Sequence, residues 1–350
     1  MPEFLWRTQE SPARRIALAP LALAELGYAA GAALHRAVYA RGWRARTRLD
    51  ARVVSVGNLA VGGSAKTPVA AFLARELHAR GRKVALLSRG FGGRRSDSLN
   101  VVSDGERVLA APADAGDEAC LLAVSAPGVP VLSGARRIDL GLRALSLFGS
   151  EVLILDDGFQ HHPLVRDLDL VCLDAKLGLG NGHVLPRGPL RESARVLRRA
   201  DALVFTRAEP GDPEPPGSER LPAQLPRFRV AIHKLGLRPV RGGERQPLAR
   251  LRGARVGLLA AIARPDRLAA DLESLGAELC ARRVWSDHHG YQPRDLADLE
   301  RELLWVTTAK DAVKIPPAWA GDAELVVLEE DVERASALPL VDFVAARLSG

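Results

Sequence analysis

Short apolar runs, four to six residues long, recur along the chain and alternate with amphipathic stretches. The first is Val53 to Val56, followed by a turn rich in glycine and then Val69, Phe72, Leu73 and Leu77 at helical spacing. Further buried strands are predicted at 83–88, 129–132, 152–155, 168–173 and 202–206. Helices are predicted after the acids at 114–118, from Arg136-Arg137, and from Glu192 through Arg195, Arg198 and Arg199. This alternation predicts an α/β fold: a mostly parallel sheet with helices on both faces. A second, smaller α/β unit is predicted from strands at 255–261, 303–307 and 325–328, a helix at 266–275 and a closing helix near 341–348.

Between the two series, residues 210–226 are rich in Pro, Gly and Glu, which reads as a linker. The expected organisation is therefore an N-terminal helix (1–45), a core domain (46–210), a linker (211–226) and a second domain (227–350). A length of 350 residues fits two domains. The N-terminal stretch Ile16 to Leu34 is mostly Ala, Leu and Gly, broken by Pro20 and Glu25. It is flanked by Arg14-Arg15 and by His35, Arg36, Arg41, Arg44, Arg46 and Arg48. A charge at mid-bilayer is costly, so Glu25 argues against a span. Basic flanks suit a helix lying in an anionic interface. The bland reading is an Ala-rich helix packed on the body. No secretory cleavage pattern is seen.

A net charge of +7 suits an anionic membrane or a phosphorylated substrate as well as nucleic acid, but aromatics are only 5%, too few for a base-stacking surface. Nucleic acid is therefore not expected as a partner. Cys120, Cys172 and Cys280 show no metal spacing and read as buried thiols in a reducing compartment.

The chemistry centres on the loop after the first strand. Gly57, Asn58, Gly62, Gly63, Ser64, Ala65, Lys66 and Thr67 are expected to cradle nucleotide phosphates: backbone N–H groups surround the oxygens, Lys66 reaches the outer phosphates and the Thr67 hydroxyl binds magnesium. The match to G-x-x-x-x-G-K-[ST] is imperfect, because positions 60 and 65 are alanine. If position 65 needs a left-handed backbone, Ala costs on the order of 1 kcal/mol relative to Gly. The run Val152 to Leu155 ends in Asp156-Asp157-Gly158, a strand delivering carboxylates to the sheet edge, where such an acid helps hold magnesium. The alternatives are a glycine-rich turn with a solvated lysine and a solvated Asp-Asp-Gly turn. Asp287-His288-His289 could bind metal but lacks further ligands, so a single functional histidine is the better reading.

Taken together, these blocks resemble the tetraacyldisaccharide 4'-kinases, the lipid A 4'-kinases of Gram-negative bacteria. The resemblance runs nearly end to end: the basic N-terminal helix, Val-Gly-Asn-Leu-x-x-Gly-Gly at 56–63 with Lys66-Thr67-Pro68, Leu-Ser-Arg-Gly-Phe-Gly-Gly at 87–93, and Ala-Gly-Asp-Glu at 115–118. It continues with Asp-Asp-Gly-Phe-Gln-His at 156–161, Leu-Pro-Arg-Gly-Pro-Leu-Arg-Glu at 185–192, Asp-His at 287–288, and Thr-x-Lys-Asp-Ala-Val-Lys at 308–314. Ala65 departs from the family's glycine.

The resemblance implies transfer of the ATP γ-phosphoryl group, with Mg2+, to the 4'-hydroxyl of an acylated glucosamine disaccharide 1-phosphate lipid. It also implies attachment to the cytoplasmic surface of the inner membrane; a monomer is expected. By the same resemblance, Asp117 accepts the sugar proton with His288 as its partner, Glu118 tunes it, and Glu192 joins Asp156 and Asp157 at the metal. Arg137, Gln160, His161 and Arg191 then contact phosphate or sugar. Two rival readings stand beside this one. In a GTPase or metal-chaperone NTPase, Thr308-Ala309-Lys310-Asp311 would resemble a guanine reader. In a non-enzymatic membrane scaffold, nucleotide would bind without transfer.

Overall fold

The computed structural model describes residues 19–349. The basic pair Arg14-Arg15 and the start of the apolar stretch at Ile16 lie outside the described residues. The rest of that stretch belongs to helix α1 (Ala19–Ala40). No described helix is long and apolar enough to cross a membrane. Glu25 explains how α1 sits: its carboxylate accepts the Val184 N–H at 2.9 Å and meets His183 Nδ1 at 3.0 Å. The acid that would be costly in lipid is used to dock the helix, while Leu23, Leu26 and Leu34 stay exposed.

The first sheet has eight strands. In chain order these are β1 (Arg52–Asn58), β2 (Val84–Ser88), β3 (Asn100–Ser103), β4 (Val131–Ser133), β5 (Val152–Asp156), β6 (Leu168–Asp174), β7 (Ala202–Thr206) and β8 (Arg227–Val230). Their spatial order is β3-β4-β2-β5-β1-β6-β7-β8, parallel except for β3. β1 and β5 are neighbours in register, Val56 opposite Asp156, so the loop after β1 and the acid ending β5 share one sheet edge. Strands β1, β2, β5, β6 and β7 read as continuous apolar runs because both faces are covered. Helices α2 (Lys66–Ala79) and α3 (Asp117–Ser125) pack on one face, and α4 (Arg137–Phe148) on the other.

The second sheet contains β9 (Ile232–Pro239), β10 (Arg255–Ala260), β11 (Glu278–Val284), β12 (Leu304–Thr307) and β13 (Glu324–Val332), in the order β11-β10-β12-β13-β9 with β9 antiparallel. Helix α5 (Pro265–Ser274) covers one face of it through Leu268, Ala269 and Leu272.

The structure differs from the sequence-based expectation at several points. The Pro-rich stretch 211–226 folds onto the first body: Leu179 N–H donates to the Pro216 carbonyl at 3.2 Å and Leu221 is buried. Residues 227–230 then add an edge strand to the first sheet, so the chain crosses at Ala231. The last helix, α6 (Arg334–Ser349), returns and buries Leu340, Val341 and Val344 in the first body's core. Where the chain crosses out and back, Glu333 N–H donates to the Ala231 carbonyl at 2.8 Å and Ala231 N–H to Ser336 Oγ at 3.0 Å. Residues 194–199 form a 3-10 helix. Cys120 and Cys172 are buried, but Cys280 is exposed, because β11 is an edge strand whose alternate residues face solvent.

Candidate active site

The loop after β1 is braced from within. Asn58 Nδ2 donates to the Ala60 carbonyl at 2.6 Å and to Ser64 Oγ at 2.9 Å, and Thr206 Oγ1 donates to the Ser64 carbonyl at 3.0 Å. Gly57 is required by close approach: a Cβ there would lie 2.6 Å from that of Phe159. Gly62 sits at φ 101°, backbone that glycine adopts without strain. Ala65, immediately before Lys66, is left-handed at φ 53° and ψ 27°. The conditional cost anticipated from sequence therefore applies. Ala65→Gly is expected to stabilise the fold by about 1 kcal/mol, read as a higher midpoint in equilibrium denaturation; an unchanged or lower midpoint would mean the loop carries no strain.

Four non-glycine residues with positive φ are found among the described residues: Ala65, Asp157, Arg207 and His288. All four line one cleft of about 1280 Å³ between the two bodies. Such backbone persists only where surrounding structure enforces it, and it clusters at functional sites.

On the first body, Thr67 Oγ1 donates to the buried Asp156 carboxylate at 3.1 Å. Burial pushes Asp156 up to about 7 against the opposing pull of Lys66. Burial likewise opposes the charge of Lys66, but Glu118, Asp157 and Asp156 hold it protonated, well above the usual lysine range. Asp157 pairs with Arg191 at 2.9 Å; although burial works against its charge, Lys66 and Arg191 keep it below the ordinary carboxylate range. Magnesium takes oxygen ligands, with one or two carboxylates and substrate phosphates completing its shell. Thr67 Oγ1 beside Asp156, with Asp157 next in the chain, fits such an ion. Among the described residues, no group of three or more His, Cys, Asp or Glu could hold a metal by itself. Glu192 lines the cleft, but its carboxylate is engaged by Arg36 of α1 at 2.8 Å and by Arg199 at 2.9 Å.

Across the cleft, His288 Nδ1 meets Asp117 Oδ1 at 3.0 Å and Oδ2 at 3.1 Å. Asp117 heads α3 and is 5% exposed, just beneath a wall that includes Glu118 and His288. Burial opposes its charge, but the His288 hydrogen bond and Lys310 hold it below the ordinary range. His289 has a different role: it stacks on Trp285 and meets Asp295 at 2.9 Å, so the Asp-His-His cluster divides between two partners.

Gln160 and Arg191 line the cleft. Arg137 sits behind it, donating to the Gly134 and Ala135 carbonyls, and burial lowers it to about 10. His161 is also set back, and burial lowers it to about 4. Sequence reasoning gave no role to Arg89, His162 or Arg264, which line the cleft, or to Lys314 behind it, and gave Lys310, which also lines it, a place only in the guanine-reader alternative. The signal for the two lysines was present in the 308–314 block. Asp311, which would read guanine in a GTPase, is fully buried and accepts the Ala261 N–H at 3.1 Å, so it cannot reach a base.

A glycine loop with Lys-Thr at a helix N-terminus, an acid on the adjacent strand and a carboxylate–histidine pair facing them define a phosphate-loop phosphotransferase. The family model of the tetraacyldisaccharide-1-P 4'-kinases, LpxK, matches residues 15–348. The chain belongs to that family. It is 44% identical over 345 residues to the tetraacyldisaccharide 4'-kinase of Anaeromyxobacter dehalogenans, covering 94% of this chain and 90% of that one. With the Geobacter metallireducens protein of the same name it shares 40% over 309 residues, covering 87% and 90%. The crystal structure of LpxK from Aquifex aeolicus in complex with ATP superimposes with a TM-score of 0.74 at 29% identity, over 95% of this chain and 99% of that one.

Proposed function

We propose that the cleft transfers the γ-phosphoryl group of ATP to the 4'-hydroxyl of an acylated glucosamine disaccharide 1-phosphate lipid. The observation that carries this reading is the hydrogen bond from His288 to Asp117, which links a proton-accepting pair to the cleft that holds Lys66, Thr67 and Asp156. The phosphorus–oxygen bond to the β-phosphate breaks, a new one forms to the 4'-oxygen, and the hydroxyl proton passes to the Asp117–His288 pair. Lys66 and the loop N–H groups hold the outer phosphates, and Arg191 orients Asp157. Thr67 and Asp156, with Asp157 beside them, would hold magnesium, which would supply charge neutralisation on the phosphate oxygens. Neither the GTPase reading nor the scaffold reading gives the buried Asp117–His288 pair a purpose.

The lipid approaches from the α1 side. Tyr28, Ala32 and His35 of α1 line the same cleft. Exposed Leu23, Leu26, Leu34 and Trp43, with Arg41, Arg44, Arg46 and Arg48 beyond, suit a helix resting on an anionic surface. The reading is attachment to the cytoplasmic face of the inner membrane, where ATP is present. Both walls of the cleft come from one chain, so a monomer suffices. The test is to incubate purified protein with ATP, magnesium and the disaccharide 1-phosphate lipid in anionic vesicles. A lipid product carrying one more phosphoryl group, at the 4' position, is expected. ATP hydrolysis without that product would sink the proposal.

A further inference from the structure

The block 308–314 has a structural role that extends to the opposite wall. Thr308 caps a single helical turn, Ala309–Ala312, by accepting the Asp311 N–H. Lys310 lies on that turn and Lys314 just beyond its end, and both ammonium groups reach Asp117. Lys314 Nζ lies 3.7 Å from Asp117 Oδ2 and 2.9 Å from Asp311 Oδ1, and its side chain is 8% exposed. It also sits 5.1 Å above the Tyr291 ring. Lys310 Nζ lies 4.0 Å from Asp117, 3.6 Å from Glu118 and 3.2 Å from Asp287. It approaches His288 Nε2 at 3.4 Å. An ammonium group is a donor only. The Nε2 facing it is therefore the acceptor, which leaves the ring proton on Nδ1, donated to Asp117.

We infer that Lys310 and Lys314 are positioning residues for the Asp117–His288 pair: both hold Asp117 as a carboxylate, and Lys310 also fixes the histidine tautomer that donates to it. This rests on the proposed role of Asp117 and His288 as the proton-accepting pair. Lys314 bridges the bodies, since one partner, Asp311, belongs to the second body and the other, Asp117, to the first. The charged and titratable groups facing Asp117 are His288, Lys310 and Lys314 from the second body, with Glu118 and Cys120 on its own helix. Asp287 and Asp311 stand behind the histidine and the lysines. A cation within about 4–6 Å favours the charged carboxylate. Its removal raises the carboxylate's pKa, so less base is available at a given pH and the acid limb of activity moves upward.

The experiment is the pH profile of kcat for Lys314→Met and Lys314→Arg, alongside Asp117→Asn. In K314M the acid limb is expected to shift up by about one pH unit or more, so that kcat at a pH on that limb falls about tenfold, with the KM for ATP nearly unchanged. K314R, which keeps the cation, is expected to restore the limb. A merely structural lysine would lower thermal stability without moving the limb, and that outcome overturns the inference. If K314M does not fold, K310M at the more exposed position carries the same test, and an unmoved limb there overturns it equally. D117N separates the two levels. If it keeps full activity, the reading of the pair fails; if it is inactive while the lysine variants keep the wild-type limb, only the lysine role fails.

Discussion

Replacement of Asp117 by alanine is expected to lower kcat on the order of a thousandfold, with ATP affinity nearly intact. Asp117 touches neither the phosphate loop nor the Thr67–Asp156 corner; its contacts are His288, the Glu118 N–H and the two lysines. Nucleotide binding therefore has no reason to change. The fold should also survive, because Lys314 keeps Asp311 and Lys310 keeps Asp287 as partners. The lost Glu118 N–H acceptor at the start of α3 costs about 1 kcal/mol. The His288→Ala variant should fall similarly, and the double variant little further, because residues acting as a unit are not additive. Single-turnover kinetics with nucleotide binding measured separately checks this; turnover at the wild-type rate in D117A would remove the pair from the chemistry.

The second large effect is at Lys66. Lys66→Ala is expected to reduce kcat/KM for ATP on the order of a thousandfold. Lys66 is the cation against which Glu118, Asp157 and Asp156 are balanced, and it stands at the N-terminus of α2, where the proposed function puts the outer phosphates. Without it, buried Asp156 faces Glu118 and Asp157 with Thr67 and Arg137 left to offset the charge. Asp156 should then remain protonated to higher pH. The residual activity of K66A is accordingly expected to rise from neutral toward alkaline pH. Steady-state kinetics across pH tests this, and unimpaired ATP turnover in K66A would mean that the phosphates bind elsewhere.

The parts of the molecule readable from sequence were those whose signals are local. Val53 to Thr67 passes from strand to glycine turn to helix within one window, and Asp156-Asp157 ends an unbroken apolar run, so both ends of the Thr67–Asp156 corner were visible. The cost at Ala65 was also legible, because a handedness rule attaches to one position. Strand β11 was missed because it is an edge strand whose alternating charged residues break the apolar run. The crossing was missed for the opposite reason: Val230-Ala231-Ile232 is apolar throughout and carries no turn residue, while the Pro-rich stretch nearby advertised a break that packing overrode. Asp117 and His288 lie 171 positions apart, so their bond has no local trace; only resemblance paired them. Lys310 and Lys314 were within a recognised block, but a role that lies across the cleft leaves no periodicity to read.

The return of α6 to the first body has a consequence for synthesis. Leu340, Val341, Val344 and Leu348 complete the packing around Phe72 and Leu73, which emerge from the ribosome more than 260 residues earlier. The amino-terminal body must therefore wait, with part of its interior unfilled, until nearly the whole polypeptide has been made. The first body is therefore not a contiguous segment that could be excised and expressed alone. A protease nicking the strand at 231 would leave the pieces joined through the one at 333.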